Sequence, residues 1–424
     1  MKRNCVSVNF CLLLLMLFSN GFFSFCNKPS EPAATTTNPN PPPPPPPPPP
    51  VIAIPTIAEV RSMLVDKNAT EETAALFYNL KNISKTNILF GHQDDTKRGL
   101  TNATTQWANE QHLTPHPPTD KSDVKEVTTS YPVVYGHDFQ HIADFLTGNW
   151  FDYEKDIARQ LTIEAYNRGG VNTYAWHYDN PVAKTDGSFY WDKAPTEAVT
   201  NILPGGSHHE VYKNSLKEVA DFAKSLIGAD GKLVPVIFRP FHEFDGGWFW
   251  WGATHCSASD YKALYQFTVT YLKENLGVRN FLYAWSPDRN FTSEAAYLER
   301  YPGDTYVDVV GTDNYWDLIN GFSAAASNKL KIVSDYAKAK NKVAAMTETG
   351  TIDNFSKPDW FTNTLLKTLT DQKVELAYVL VWANTKNSFY TPYKGHAAEA
   401  DFIKFKNDAY VFFASEAPGM YQIK

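Results

Sequence analysis

The sequence predicts an α/β fold, a (β/α)8 TIM barrel. Three observations predict it: eight short apolar runs recur along the chain, amphipathic helical stretches separate them, and the runs end in polar residues. The runs are Asn87–Phe90, Pro132–Tyr135, Val171–Trp176, Val234–Phe238, Phe281–Trp285, Val307–Val310, Val343–Met346 and Leu376–Val381. They are rich in β-branched and aromatic residues, and eight parallel strands under covering helices is the count such a barrel requires. Between them, Ser215–Gly228 places Leu216, Val219, Phe222, Ala223 and Leu226 on one helical face. Tyr261–Gly277 does the same with Leu264, Phe267, Tyr271, Leu272 and Leu276. Each stretch closes on a glycine, a common helix stop. An open doubly wound sheet would alternate in the same way, but no glycine-rich phosphate loop follows the first strand.

The C-terminal strand ends of a barrel carry its active site. Here they read Gly91–Asp95, Gly136–Asp138, His177–Asn180, Arg239–Glu243, Ser286–Asp288, Asp313–Tyr315, Thr347–Thr349 and Trp382–Asn384. Polar residues after one or two buried strands are ordinary; after all eight they imply convergence on one mouth. Two carboxylates stand out. Glu243 follows the fourth strand and precedes an aromatic cluster ending at Trp251, and Glu348 follows the seventh between Thr347 and Thr349. Strands four and seven face each other across a barrel, so their ends can flank one sugar linkage. Glycosidic cleavage uses such a pair, one carboxylic acid to protonate the leaving oxygen and one carboxylate to attack carbon or activate water.

The chain has 424 residues, 43% hydrophobic and 14% aromatic, enough for one large domain over residues 54–424. The aromatic share fits either a bulky core or a cleft whose flat rings stack on pyranoses. Net charge is −7, which excludes the basic footprint of a nucleic-acid binder. Before the domain, Lys2 and Arg3 precede a short apolar run, so residues 1–25 read as a secretory signal of lipoprotein type. Cys26 is the lipidation candidate, although Phe25 stands where such a site has a small residue; simple secretion is the alternative. Residues 26–53 form a proline-rich linker whose unbroken run Pro41–Pro50 predicts a stiff polyproline II spacer, at about 3.1 Å per residue. The expected location is the cell surface or outer membrane, with membrane contact only through Cys26. The four cysteines give no disulfide framework, and Cys256 is expected as an unpaired thiol.

The stretch Arg239–Trp251, the motif Thr347–Gly350, and Gly91–Gln93, Ala175–His177, Tyr283–Pro287 and Val381–Trp382 together resemble glycoside hydrolase family 26, whose known members are mostly β-mannanases. His242 immediately before the acid separates this pattern from most relatives in the same retaining clan, which carry Asn there. The resemblance implies endo-acting, retaining cleavage of β-1,4-mannosidic linkages in galactomannan or glucomannan. It implies Glu243 as acid/base, Glu348 as nucleophile, Tyr315 and His242 near Glu348, His177 and Trp382 at the −1 sugar, and Trp248 on the +1 side. Arg239 and Asp288 would support them. No cofactor and no metal are required; the partners are β-mannan and manno-oligosaccharides, and a monomer is expected. Ala383 stands where some members carry an arginine for a distal sugar, which weakens any inference about glycone-side binding. Mannobiose release from chain ends, another β-glycan, and a non-catalytic surface glycan-binding protein are the alternatives. His208-His209-Glu210 reads as a polar loop rather than a metal cluster, and Asp94-Asp95 as a loop pair in preference to a cation or sugar site.

Overall fold

A computed structural model describes residues 54–108, 120–143, 148–183 and 188–423. The chain divides into two units between Ile52 and Ala53, and the described residues belong to the second. The signal (1–25), Cys26 and the linker (26–53) lie outside the described residues. Among the described residues, no helix is long and apolar enough to cross a membrane.

The eight barrel strands are β1 (Ile88–Gln93), β2 (Val134–Asp138), β3 (Val171–Trp176), β4 (Val236–Pro240), β5 (Phe281–Trp285), β6 (Val309–Asp313), β7 (Val343–Thr349) and β8 (Tyr378–Val381). Neighbours pair in parallel in chain order, and β1 pairs with β8 to close the ring. All eight predicted strands are present. A hairpin, Gly99–Asn102 with Thr105–Ala108, follows β1, and the short strand Val411–Phe412 pairs with β1.

Strand side chains alternate between two faces, and two buried clusters mark them. Leu89, Val134, Val171, Ile237, Leu282, Val309, Val343 and Tyr378 form one cluster together with Val60, Leu64, Leu76, Phe77 and Leu80 of the helices Ile57–Met63 and Glu71–Ile83. This is the barrel interior, closed by N-terminal helices. Phe90, Tyr174, Phe238, Tyr283, Val310, Met346 and Val379 belong to the other cluster, with the helices that surround the ring. The interior series continues upward, two residues at a time. It places Gln93, Asp138, His177, Arg239, Ser286, Asp313 and Trp382 in the uppermost layer, at the C-terminal mouth.

Strand β7 breaks the period. Thr312 of β6 pairs with Met346, but Asp313 pairs with Glu348; Val379 of β8 pairs with Met346, but Val381 pairs with Thr349. One extra residue sits in β7 against both neighbours, a bulge. Without it Glu348 would share the outward parity of Ala344 and Met346. The bulge turns its carboxyl into the mouth.

Helix boundaries differ from the sequence reading. His208-His209-Glu210 is not a loop: His209 opens the helix His209–Ser225, with His208 at its N-cap. That helix ends at Ser225, before Gly228, because Leu226 leaves helical geometry to pair its backbone with Val234. Gly277 behaves as expected, with φ +66 after the π-helical turn Tyr271–Asn275. Cys256 is a free, half-buried thiol whose Sγ lies 3.2 Å from the Trp251 carbonyl.

Candidate active site

Arg239 holds the floor of the mouth. Its guanidinium donates to Asp313 Oδ2 at 2.7 Å, to Ser286 Oγ at 3.2 Å and to Glu348 Oε1. Thr347, the residue beside the bulge, donates to the other Asp313 oxygen at 2.6 Å. Tyr315 donates its hydroxyl proton to Glu348 Oε2 at 3.0 Å. Each Glu348 oxygen therefore accepts a hydrogen bond, which fixes the carboxyl in place.

Glu243 sits on a different support. The backbone after β4 turns sharply, with φ +53 at Phe241 and +51 at Glu243, the left-handed region that non-glycine residues rarely occupy. Such positions cost about 1–3 kcal/mol each and persist where surroundings impose them. Here buried rings impose them. Tyr261 OH donates to the Phe241 carbonyl at 2.9 Å and Trp251 Nε1 to the His242 carbonyl at 2.7 Å. The Glu243 amide donates to the Ser286 carbonyl at 3.0 Å. The aromatic cluster after Glu243 is thus partly a clamp for its turn. Trp248 Nε1 donates to Glu243 Oε2 at 2.8 Å.

The electrostatic settings of the two carboxyls are unequal. Desolvation pushes the Glu243 pKa well above the usual carboxylate range, and the negative charges of Asp313, Glu348 and Asp288 push it further. Glu348 has Arg239 against it. His242 Nε2 lies 3.9 Å from Glu348 Oε1. Burial, with Arg239 and His177 nearby, drives the His242 pKa far down, so its ring is neutral beside Glu348. Asp288 is pushed up to about 7 by burial and by Asp245.

One cavity of about 410 Å³ is lined by Glu243, Glu348, His177, His242, Trp248, Tyr315, Asp288 and Trp382. All seven residues named from the sequence for catalysis and binding meet there. A second cavity, of about 470 Å³, is lined by Gln93, Asp94, Arg98, Asp138 and Gln140. The two share His177, Tyr190, Trp382 and Tyr390, so they are stretches of one groove. Ala383 lines the second stretch, and Arg98 enters it from the loop after β1, paired with Asp94 at 2.7 Å. Asp94 is therefore part of the groove wall, beyond the plain loop role expected.

His177 is held by Asp138, whose carboxylate meets Nδ1 at 2.5 Å and accepts from the His177 amide at 3.1 Å. Burial alone would raise the Asp138 pKa; His177 more than reverses this, to about 2. The sequence marked Asp138 as a polar strand end without assigning this partner. Tyr190, Tyr390 and Trp316 gave no signal, because they reach the groove from loops. Gly350 admits Tyr390: a Cβ there would lie 2.2 Å from Tyr390 Cδ1.

His242, Asp313 and Glu348 are the one group of three potential metal ligands found among the described residues. Arg239 already bonds two of these three, so a cation there would meet a fixed positive charge.

Paired carboxyls in an aromatic groove, at the C-terminal mouth of a parallel barrel, place the fold among the glycoside hydrolases. The chain belongs to Glycosyl hydrolase family 26, whose sequence profile matches residues 65–411. It is 34% identical over 378 residues to a mannan endo-1,4-beta-mannosidase of Bifidobacterium adolescentis, covering 83% of this chain and 35% of that protein. The chain thus spans about a third of that relative's length. A mannan endo-1,4-beta-mannosidase of Bacillus subtilis is 27% identical over 274 residues, covering 62% of this chain and 70% of the relative. Among solved structures, GH26C from Muricauda sp. MAR_2010_75 matches with TM-score 0.80 and 40% identity, over 87% of this chain and 98% of that one. A GH26 beta-mannanase from Bacteroides ovatus matches with TM-score 0.73 and 35% identity, over 84% and 98%.

Replacing Arg239 by Met leaves Asp313 and Glu348 enclosed without a counter-charge. The expected loss of stability is about 3–5 kcal/mol at neutral pH, read from urea unfolding midpoints. The deficit narrows on acidification, because protonation removes the uncompensated charge.

Proposed function

We propose that this chain is an endo-acting β-1,4-mannanase working by double displacement with retention, with Glu243 as acid/base and Glu348 as nucleophile. One observation carries the reading: two carboxyls line one groove, one pushed toward its protonated form and the other bonded to a cation and a tyrosine hydroxyl. That inequality is what two-carboxylate glycosidase chemistry needs. The family and the named activities of its relatives support mannan as the substrate.

In the first step Glu348 attacks the anomeric carbon while Glu243 gives its proton to the departing glycosidic oxygen. The C1–O bond breaks and a mannosyl ester forms on Glu348. In the second step Glu243, now a carboxylate, takes a proton from water; the water oxygen bonds C1 and the ester electrons return to Glu348. His177 and Trp382 would line the −1 sugar and Trp248 the +1 side. Asp138 sets the orientation of His177. Arg239 and Tyr315 stabilise the Glu348 carboxylate that each cycle regenerates. Groove on both sides of the His177–Trp382 pair supports binding of an internal chain segment, hence endo action on galactomannan or glucomannan.

Glu348→Ala is expected to lose more than about a thousandfold of mannan hydrolysis. Glu243→Ala is expected to lose about 10²–10⁴-fold, and far less on an aryl glycoside whose leaving group needs no proton. Proton NMR should show the β-anomer as the first product of wild type. First appearance of the α-anomer sinks the mechanism.

Activity needs Glu243 protonated, so it falls as pH rises through the raised Glu243 pKa. Asp288→Asn removes one of the charges that raise it. The basic limb of the kcat/KM profile should therefore move to lower pH; a limb that stays or moves up contradicts this account.

Export follows from the N-terminal reading: cleavage before Cys26, a lipid on that cysteine, and the proline-rich segment as spacer. Labelled palmitate should enter the wild-type protein in a lipoprotein-processing bacterial host and be absent from Cys26→Ser. Equal labelling of both would rule out Cys26 as the anchor.

A further inference from the structure

All eleven tryptophans lie among the described residues, and of these Trp316 alone is largely exposed, at 54%. A lone exposed apolar side chain is ordinary on a protein surface. Three features set Trp316 apart. It lines the cavity that holds Glu243, Trp248 and Asp288. It opens the 3-10 turn Trp316–Leu318, directly after the Tyr315 that bonds Glu348. And the turn is pinned: Asp317 accepts from Asn314 Nδ2 at 3.0 Å, Lys329 Nζ at 2.5 Å and Arg289 Nη1 at 3.3 Å. The Arg289 guanidinium lies 6.0 Å from the centre of the Trp316 ring. A flat ring is thus held out toward the groove by a backbone with little freedom, which is a preorganised stacking surface.

The groove has a direction. Glu243, the proposed proton donor to the leaving oxygen, is bonded to Trp248, and Asp288 and Trp316 share its cavity. The other stretch, lined by Gln93, Arg98, Asp138 and Gln140, contains neither Glu243 nor Glu348. The Trp316 end is therefore the leaving-group side.

We propose that Trp316 is a stacking platform for a β-linked hexopyranose of the leaving chain, beyond the sugar that Trp248 borders. An oligosaccharide seated there after the first step intercepts the intermediate. Its hydroxyl oxygen bonds C1, the C1–O bond to Glu348 breaks with the electron pair returning to the carboxylate, and Glu243 takes the hydroxyl proton. This rests on the double-displacement reading.

The test compares wild type, Trp316→Ala, Trp316→Leu and Trp316→Phe in two readouts. One is the ratio of kcat/KM on mannopentaose to that on an aryl β-mannobioside. The other is the fraction of products longer than the substrate at high mannotetraose concentration, by mass spectrometry. Ala and Leu should lower the ratio roughly tenfold, the loss of one well-placed stacking contact, and shrink the long products in parallel. Phe should keep most of both, since it retains a flat face. Leu keeps apolar bulk and folding while losing that face. An unchanged ratio in folded Ala and Leu variants overturns the subsite, and a wild type that makes no long products overturns the interception. Inactivity of wild type on both substrates would instead strike the functional reading itself.

Discussion

The mouth of this barrel is organised around one buried cation. Arg239 stands inside the top layer and bonds Asp313 and Glu348 at once. Burial by itself would discourage its charge, but the two carboxylates more than reverse that. Removing ions from water is expensive unless partners are close and well aligned, so neither carboxylate would be tolerated there alone. Arg239 is bonded to Asp313 and Glu348, and Arg98, farther along the groove, to Asp94. The uncompensated negative potential falls on Glu243, which has a Trp248 N–H and no bonded cation among the described residues. Glu348 is bonded to the Arg239 cation, and Glu243, without one, is pushed toward its acid form.

Two departures from regular backbone aim these groups. Strand β7 carries one extra residue, which rotates Glu348 from the outer to the inner face. The turn after β4 adopts positive φ at Phe241 and Glu243, held by the side chains of Tyr261 and Trp251. An even-period strand delivers every second side chain to the mouth, and that rule alone seats Asp138, His177, Arg239, Asp313 and Trp382. The two carboxyls assigned to chemistry are the ones that need an exception. Strain concentrated at a reacting centre is where local sequence rules are expected to fail.

This explains what was legible beforehand. The strands could be read because each is an apolar, β-branched or aromatic run. The site could be read because the ends of those runs are polar in all eight cases. The bulge could not: Ala345-Met346-Thr347-Glu348 has no glycine or proline to announce it. Helix starts were missed where a polar triplet, His208-His209-Glu210, begins a helix whose apolar face appears only from Tyr212 onward. The groove walls were missed because Tyr190, Trp316 and Tyr390 come from loops with no periodicity. Their placement rests on tertiary contacts, such as Asn384 accepting from the Tyr390 and Thr391 amides while donating to buried Asp123.

The two ends of the groove differ in kind, and the proposed reaction gives that difference a reason. The stretch beyond His177 is lined by hydrogen-bonding and charged groups, among them Gln93, Asp94, Arg98 and Gln140. The stretch around Glu243 is edged by Trp248, Phe249 and Trp316. In a double displacement, the glycone stays attached through two steps and must present the same carbon to two attackers from opposite faces. Directional hydrogen bonds suit that task, because they fix rotation as well as position. The leaving chain must be held for one step and then let go. Stacking on a flat ring suits it, because the contact fixes the plane of the sugar but tolerates sliding along it. In the proposed reaction, an aromatic leaving side would help align the bond over Glu243 while opposing departure little.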